Sequence, residues 1–161
     1  MLMSMKNLDI LVMINSGISN ITNYDLSAAN AYKVMKFRNL VTKKFDEIQE
    51  QEKKLLADAG IDDPQGFDAR FKELREKENR TEEENKEFAE YTDKYNAWVK
   101  ARTDMLNSDV ELEGVKTISF EDWHNLRKEN RPSDANKVDP LNNYVESILE
   151  NVLWKAPEDE E

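Results

Sequence analysis

The sequence predicts a mainly α fold (α+β), with a long antiparallel helical hairpin, a short β element and smaller flanking helices. Three observations carry the expectation. Two long stretches repeat apolar residues at helical spacing. Turn and capping signals separate them. The 161 residues include only four Gly and four Pro, too few for the many turns of a β sandwich. One chain of this length can bury most of its apolar surface in a single domain, expected over 1–155 with an acidic tail over 156–161.

Leu8 to Ile21 is apolar on more than one side, with Leu8, Leu11, Val12 and Ile18 on one helical face and Ile10, Ile14 and Ile21 on another, and reads as a short buried helix in preference to a strand. Asn15-Ser16-Gly17 is a place for it to stop early. The first long helix follows, capped by Asp25 or Ser27. Taken at about 100° per residue, Val34, Phe37, Val41, Phe45, Ile48 and Leu55 share an arc of about 80°. Ala59-Gly60 is its expected stop.

Ile61 to Gln65 reads as a turn and Phe67 to Asn79 as a charged helix with Phe67, Phe71 and Leu74 on one side. Thr81 with Glu84 forms a capping box that starts the second long helix. Its stripe of Phe88, Tyr91, Tyr95, Trp98, Val99, Met105 and Leu106 spans about 120° and is expected to pack on the Val34-to-Leu55 stripe. Glu82 with Lys86 and Glu90 with Lys94 support this helix at i,i+4. Beyond Asn107, the alternation Asp109-Val110-Glu111-Leu112-Glu113 reads as a short strand or as a hairpin turning near Gly114. Ser119 with Asp122 starts a short helix carrying Phe120, Trp123 and Leu126. A last helix puts Leu141, Tyr144, Val145, Ile148, Leu149 and Val152 on one face.

Charge narrows the function. The formal net charge is −11, distributed unevenly. Residues 1–56 hold eight Lys and Arg against six Asp and Glu; residues 57–161 hold 15 against 28. Such a chain is repelled overall by nucleic acid and by anionic membranes, and suits a basic partner if its acidity is more than a solubility device. The apolar run Ile10–Ile14 is too short to span a bilayer, and the first residues carry no signal-peptide pattern, so the sequons at Asn20 and Asn79 read as chance matches.

Chemistry has little to stand on. With no cysteine and a single histidine, His124, one chain cannot build a thiolate- or imidazole-rich metal site. A histidine beside Trp123 is more often a surface or packing residue than a catalyst, and no nucleophile elbow, P-loop or G-x-G-x-x-G occurs. Asp109, Glu111 and Glu113 could face a divalent cation together, but they fit the solvent face of an edge strand better. Lys33, Lys36, Lys43 and Lys44 form a stripe of about 100° on the first long helix. It suits a phosphate, or, more in keeping with the overall charge, the acidic half of the chain. Arg102 shares the aromatic face and can stack on Trp98 or Tyr95 or meet a carboxylate. No cofactor, metal or catalytic residue is expected. The candidate interaction residues are Lys33, Lys36, Lys43, Lys44, Trp123 and His124.

Three segments carry a family resemblance: Lys6-Asn7-Leu8-Asp9-Ile10; Ala28 to Leu40, with Ala31-Tyr32-Lys33-Val34 opening a long helix; and Asp109-Val110-Glu111-Leu112. In these the chain resembles an uncharacterised family of small tailed-phage (siphophage) proteins. It departs from the family in the charged Phe67–Asn79 segment and in the extension from Asn130. The resemblance implies a phage or prophage origin and transfers no site residues. The expected function is therefore non-enzymatic: a virion, tail or assembly component, possessing a phage structural or host protein as partner or forming a homo-oligomer, in the host cytoplasm or the virion. The alternative is an acidic inhibitor of a host defence or nucleic-acid enzyme.

Overall fold

The computed structural model describes residues 2–15, 28–115, 118–119 and 154–155. In chain order these form β1 (Leu2–Lys6), α1 (Asn7–Asn15), α2 (Ala28–Asp58), α3 (Pro64–Glu76), α4 (Glu82–Asn107), β2 (Asp109–Glu113), β3 (Ile118–Ser119) and β4 (Trp154–Lys155). The fold is mainly α with a short β element, as expected. The proposed caps Asp25 and Ser27, the helix around Trp123 and His124, the last helix over Leu141–Val152 and the tail over 156–161 lie outside the described residues. Two compact units divide the chain, one of 1–46 with 108–161 and the other of 47–107, with α2 contributing to both.

In the first unit, β1 and β2 pair antiparallel from Leu2 opposite Glu113 to Lys6 opposite Asp109. The strand alternative for Asp109–Glu113 therefore holds, with the N-terminal residues as partner. Ile118–Ser119 pairs instead, in parallel, with Trp154–Lys155. Strand alternation puts Met5 and Leu112 inside while Asp109, Glu111 and Glu113 face out. The chain passes from β1 into α1 through an Asp9 carboxylate that accepts from the Lys6 N–H at 3.2 Å, the reaching-back half of a capping box. Asn7, buried at this junction, donates its N–H to the Ser108 carbonyl at 3.1 Å and so ties α1 to the start of β2. Ile10 and Met13 of α1, Val34, Phe37 and Val41 of α2, and Val115 and Ile118 complete the buried residues among those described in this unit.

The second unit is held by a helical hairpin. α2 ends at a Schellman motif: Gly60 at φ 76° donates to the Ala57 carbonyl and Ile61 to the Leu56 carbonyl, both at 2.9 Å. Asp63 then caps α3 by accepting from Gly66 N–H at 3.1 Å, and Pro64 occupies the first helical position, where a missing N–H costs nothing. The helix expected from Phe67 to Asn79 thus starts three residues earlier and ends at Glu76. Arg80 terminates it by donating to the Leu74 carbonyl at 2.6 Å. Thr81 and Glu84 make the expected capping box reciprocally, at 3.2 and 2.9 Å. The expected Glu82–Lys86 pair forms at 3.5 Å.

Contacts along α3 and α4 run in opposite directions: Phe67 stacks on Tyr91 at 4.6 Å between ring centroids, Phe71 lies 5.7 Å from Phe88, and Lys77 meets Glu84 at 2.6 Å. The rings of Phe88, Tyr91 and Tyr95 on α4 therefore meet Phe67 and Phe71 of α3. The short link over 77–81 causes this, because a connection of that length returns a helix onto its immediate neighbour. With 13 residues α3 covers only part of the 26-residue α4. Further along α4, Arg102 Nε reaches Glu52 Oε1 of α2 at 2.7 Å, which resolves the alternatives for Arg102 in favour of a carboxylate.

Candidate interaction surface

The surface that stands out for binding lies in the first unit, on the side of α2 opposite its core stripe. Val34, Phe37 and Val41 are sealed from solvent at 1% exposure or less. Half a turn away, at about 100° per residue, lie Tyr32, Met35, Lys36, Asn39 and Lys43, all exposed. Tyr32 and Met35 keep 50% and 42% of their surface in solvent, and the Lys36 ammonium sits 5.4 Å from the centroid of the Tyr32 ring. This cation–π contact steers both side chains to one place on the helix surface.

A groove of about 320 Å³ runs along this face, lined by Lys36, Asn39, Leu40 and Lys43 of α2 and by Glu113 and Gly114 where β2 turns. The four α2 residues are at positions i, i+3, i+4 and i+7 and so line up along the helix. Leu40, half-buried, supplies an apolar floor between two lysines. Gly114 takes φ 79°, and a Cβ there would meet nothing within 4 Å, so this turn borders open space.

Of the residues expected at the site, Lys36 and Lys43 line the groove, whereas Lys33 and Lys44 are half-buried on the flank of α2 and have partners of their own. Trp123 and His124 lie outside the described residues. The additional residues are Tyr32, Met35, Asn39, Leu40, Glu113 and Gly114. The first four were legible as the complement of the core stripe.

The electrostatics are local. Residues 28–46 hold five Lys and Arg against one Asp, and no acid precedes Asp46 in α2. Residues 47–107 hold 11 against 17. The positive end of the helix dipole adds to the cationic character of the first turns of α2.

Other places in the described chain are structural. A second cavity of about 220 Å³ is lined by Gly60, Ile61, Asp62, Asp63, Gly66, Phe67, Tyr91 and Lys94, but its Asp63 carboxylate is committed to capping α3. Tyr95 and Val99 are exposed on α4 at 42% and 37% beside Trp98, whose Nε1 is buried without a protein partner. Arg70 grips Glu87 with two hydrogen bonds, at 2.9 and 2.6 Å, and meets Glu73 at 2.9 Å. The hydrogen bond from Arg70 holds the Glu87 carboxyl below its ordinary pKa, and those from Lys77 and the Thr81 backbone do the same for Glu84. Among the described residues, no three His, Asp or Glu side chains converge as metal ligands, and no helix is long and apolar enough to cross a membrane. Asp109, Glu111 and Glu113 point to solvent along β2.

No protein-family model, no curated protein and no solved structure matches the chain.

Proposed function

We propose that this is a non-enzymatic phage or prophage protein that acts by binding another protein, as a virion, tail or assembly component in the host cytoplasm or the virion. The observation that carries the binding role is the exposed face of α2, where an aromatic ring, a methionine and two lysines lie together opposite a sealed core stripe. Long apolar side chains left in solvent beside fixed charges are the composition of a contact surface. The resemblance in Lys6–Ile10, Ala28–Leu40 and Asp109–Leu112 supports the phage origin.

The test is an affinity pull-down of the tagged full chain from phage-infected host lysate, at low and high salt, read by mass spectrometry. Recovery of phage structural proteins is expected. Recovery of none, in particles or lysate, would overturn the assembly role.

A second reading rests on a different observation, the acid excess over residues 47–107. A surface of that sign suits the basic groove of a nucleic-acid enzyme or host defence protein, which the chain would inhibit by occupying it. Recovery of a basic host protein, lost at high salt, would favour this reading over the first.

A further inference from the structure

We propose that the groove along α2 is a docking site for an acidic peptide segment of a partner protein, one that carries carboxylates beside an aliphatic side chain; this rests on the protein-binding role above and names the chemistry of its partner. Charge complementarity identifies the occupant. Lys36 and Lys43, seven residues apart on one helix face, are separated by about 10 Å along the axis and flank the apolar Leu40. Two carboxylates of an acidic segment can meet the two ammonium groups while an aliphatic side chain between them covers Leu40. The volume of about 320 Å³ is at the small end for ligand sites, roughly 300–1,000 Å³, and fits side chains rather than a folded domain.

The same surface argues against the other polyanions. A nucleic acid needs a continuous cationic track, but here the groove ends at Glu113, with Glu111 and Asp109 exposed along the same strand. A membrane surface needs an inserted apolar face, whereas Tyr32 and Met35 are interleaved with Lys36 and Asn39. Glu113 also sets polarity: it repels a carboxylate at its end of the groove, so an acidic segment binds with its acids toward α2.

The experiment is fluorescence anisotropy of a short fluorescein-labelled peptide alternating Glu and Leu, titrated with the full chain, beside its Gln-for-Glu counterpart. Weak, salt-sensitive binding of the Glu peptide alone is expected. The double variant Lys36→Glu/Lys43→Glu should weaken it about tenfold or more, as two attractions become repulsions. Glu113→Gln should tighten it about twofold. All three positions are exposed, and circular dichroism verifies that the variants keep their helices. Equal binding of the Gln peptide, indifference to Lys36→Glu/Lys43→Glu, or no binding at all would overturn the proposal. So would tighter binding of oligo-dT or of phosphatidylserine vesicles. Sedimentation of the protein alone tests the remaining occupant: a dimer abolished by Lys36→Glu/Lys43→Glu would mean that a second copy fills the groove, and would also overturn it. Failure of the peptide with phage proteins still recovered from lysate removes only this inference; failure of both removes the binding role as well.

Discussion

Single residues decide where the helices stop and start. Gly60 sits at φ 76°, where any side chain strains the backbone, and its Schellman hydrogen bonds close α2. Gly60→Ala should cost about 1 kcal/mol, read as a lower urea midpoint with unchanged slope. Asp63→Ala removes the cap of α3 and should cost about the same. Gly66→Ala attacks that cap from the other side, because its new Cβ would collide with the Asp63 carboxylate. Protonation acts here as well. Glu84 and Glu87 have carboxyls held below their ordinary pKa by Lys77, the Thr81 backbone and Arg70. A carboxyl with a lowered folded value stabilises the fold fully above its unfolded value, about 4.3, and the gain disappears as pH falls through the folded value. Urea stability should therefore drop below about pH 4.3, and the part due to Arg70 and Lys77 should vanish in Arg70→Ala/Lys77→Ala, leaving only the Thr81 share. A pH profile with the same acid limb in that variant would contradict the assignment.

Elements are held by different means, and they were unequally legible. Phe71 touches Phe67, Phe88, Tyr91 and Tyr95 with centroid separations of 5.6 to 6.3 Å, yet remains half-buried. Phe71→Ala should cost about 2 kcal/mol and Phe37→Ala, at 1% exposure, about 3–5 kcal/mol, because truncation in a sealed core leaves a cavity. Chemical denaturation of the two variants checks the order. The two long helices, the Gly60 stop and the Thr81–Glu84 box were readable because each depends on neighbours within one or two turns. The start of α3 was missed at Asp63-Pro64, although Asp before Pro is itself a local start signal. β1 was not readable: Leu2–Lys6 becomes a strand only through Asp109–Glu113, about a hundred residues away in the chain. The same holds for the ring contacts between α3 and α4, since periodicity gives the face of a helix and not the helix it meets. At the candidate surface, Lys36 and Lys43 followed from their spacing, whereas Glu113 and Gly114 required the tertiary fold.

Across the whole molecule, charge is segregated: the part of α2 in the first unit is basic, while residues 47–107 and the chain overall are acidic. Contacts made through Lys36 and Lys43 should therefore weaken with salt by screening, and those made through the apolar surfaces of Tyr32 and Met35 should persist. The most direct test of the binding role is site-specific cross-linking of the full chain in phage-infected lysate. A photoreactive benzophenone side chain replaces Tyr32 in one sample and Asp68, exposed on α3, in another. The account predicts a cross-link to a phage structural protein from position 32, reduced by Lys36→Glu/Lys43→Glu, and none from position 68. Equal capture from both positions, or no capture from position 32, would contradict it.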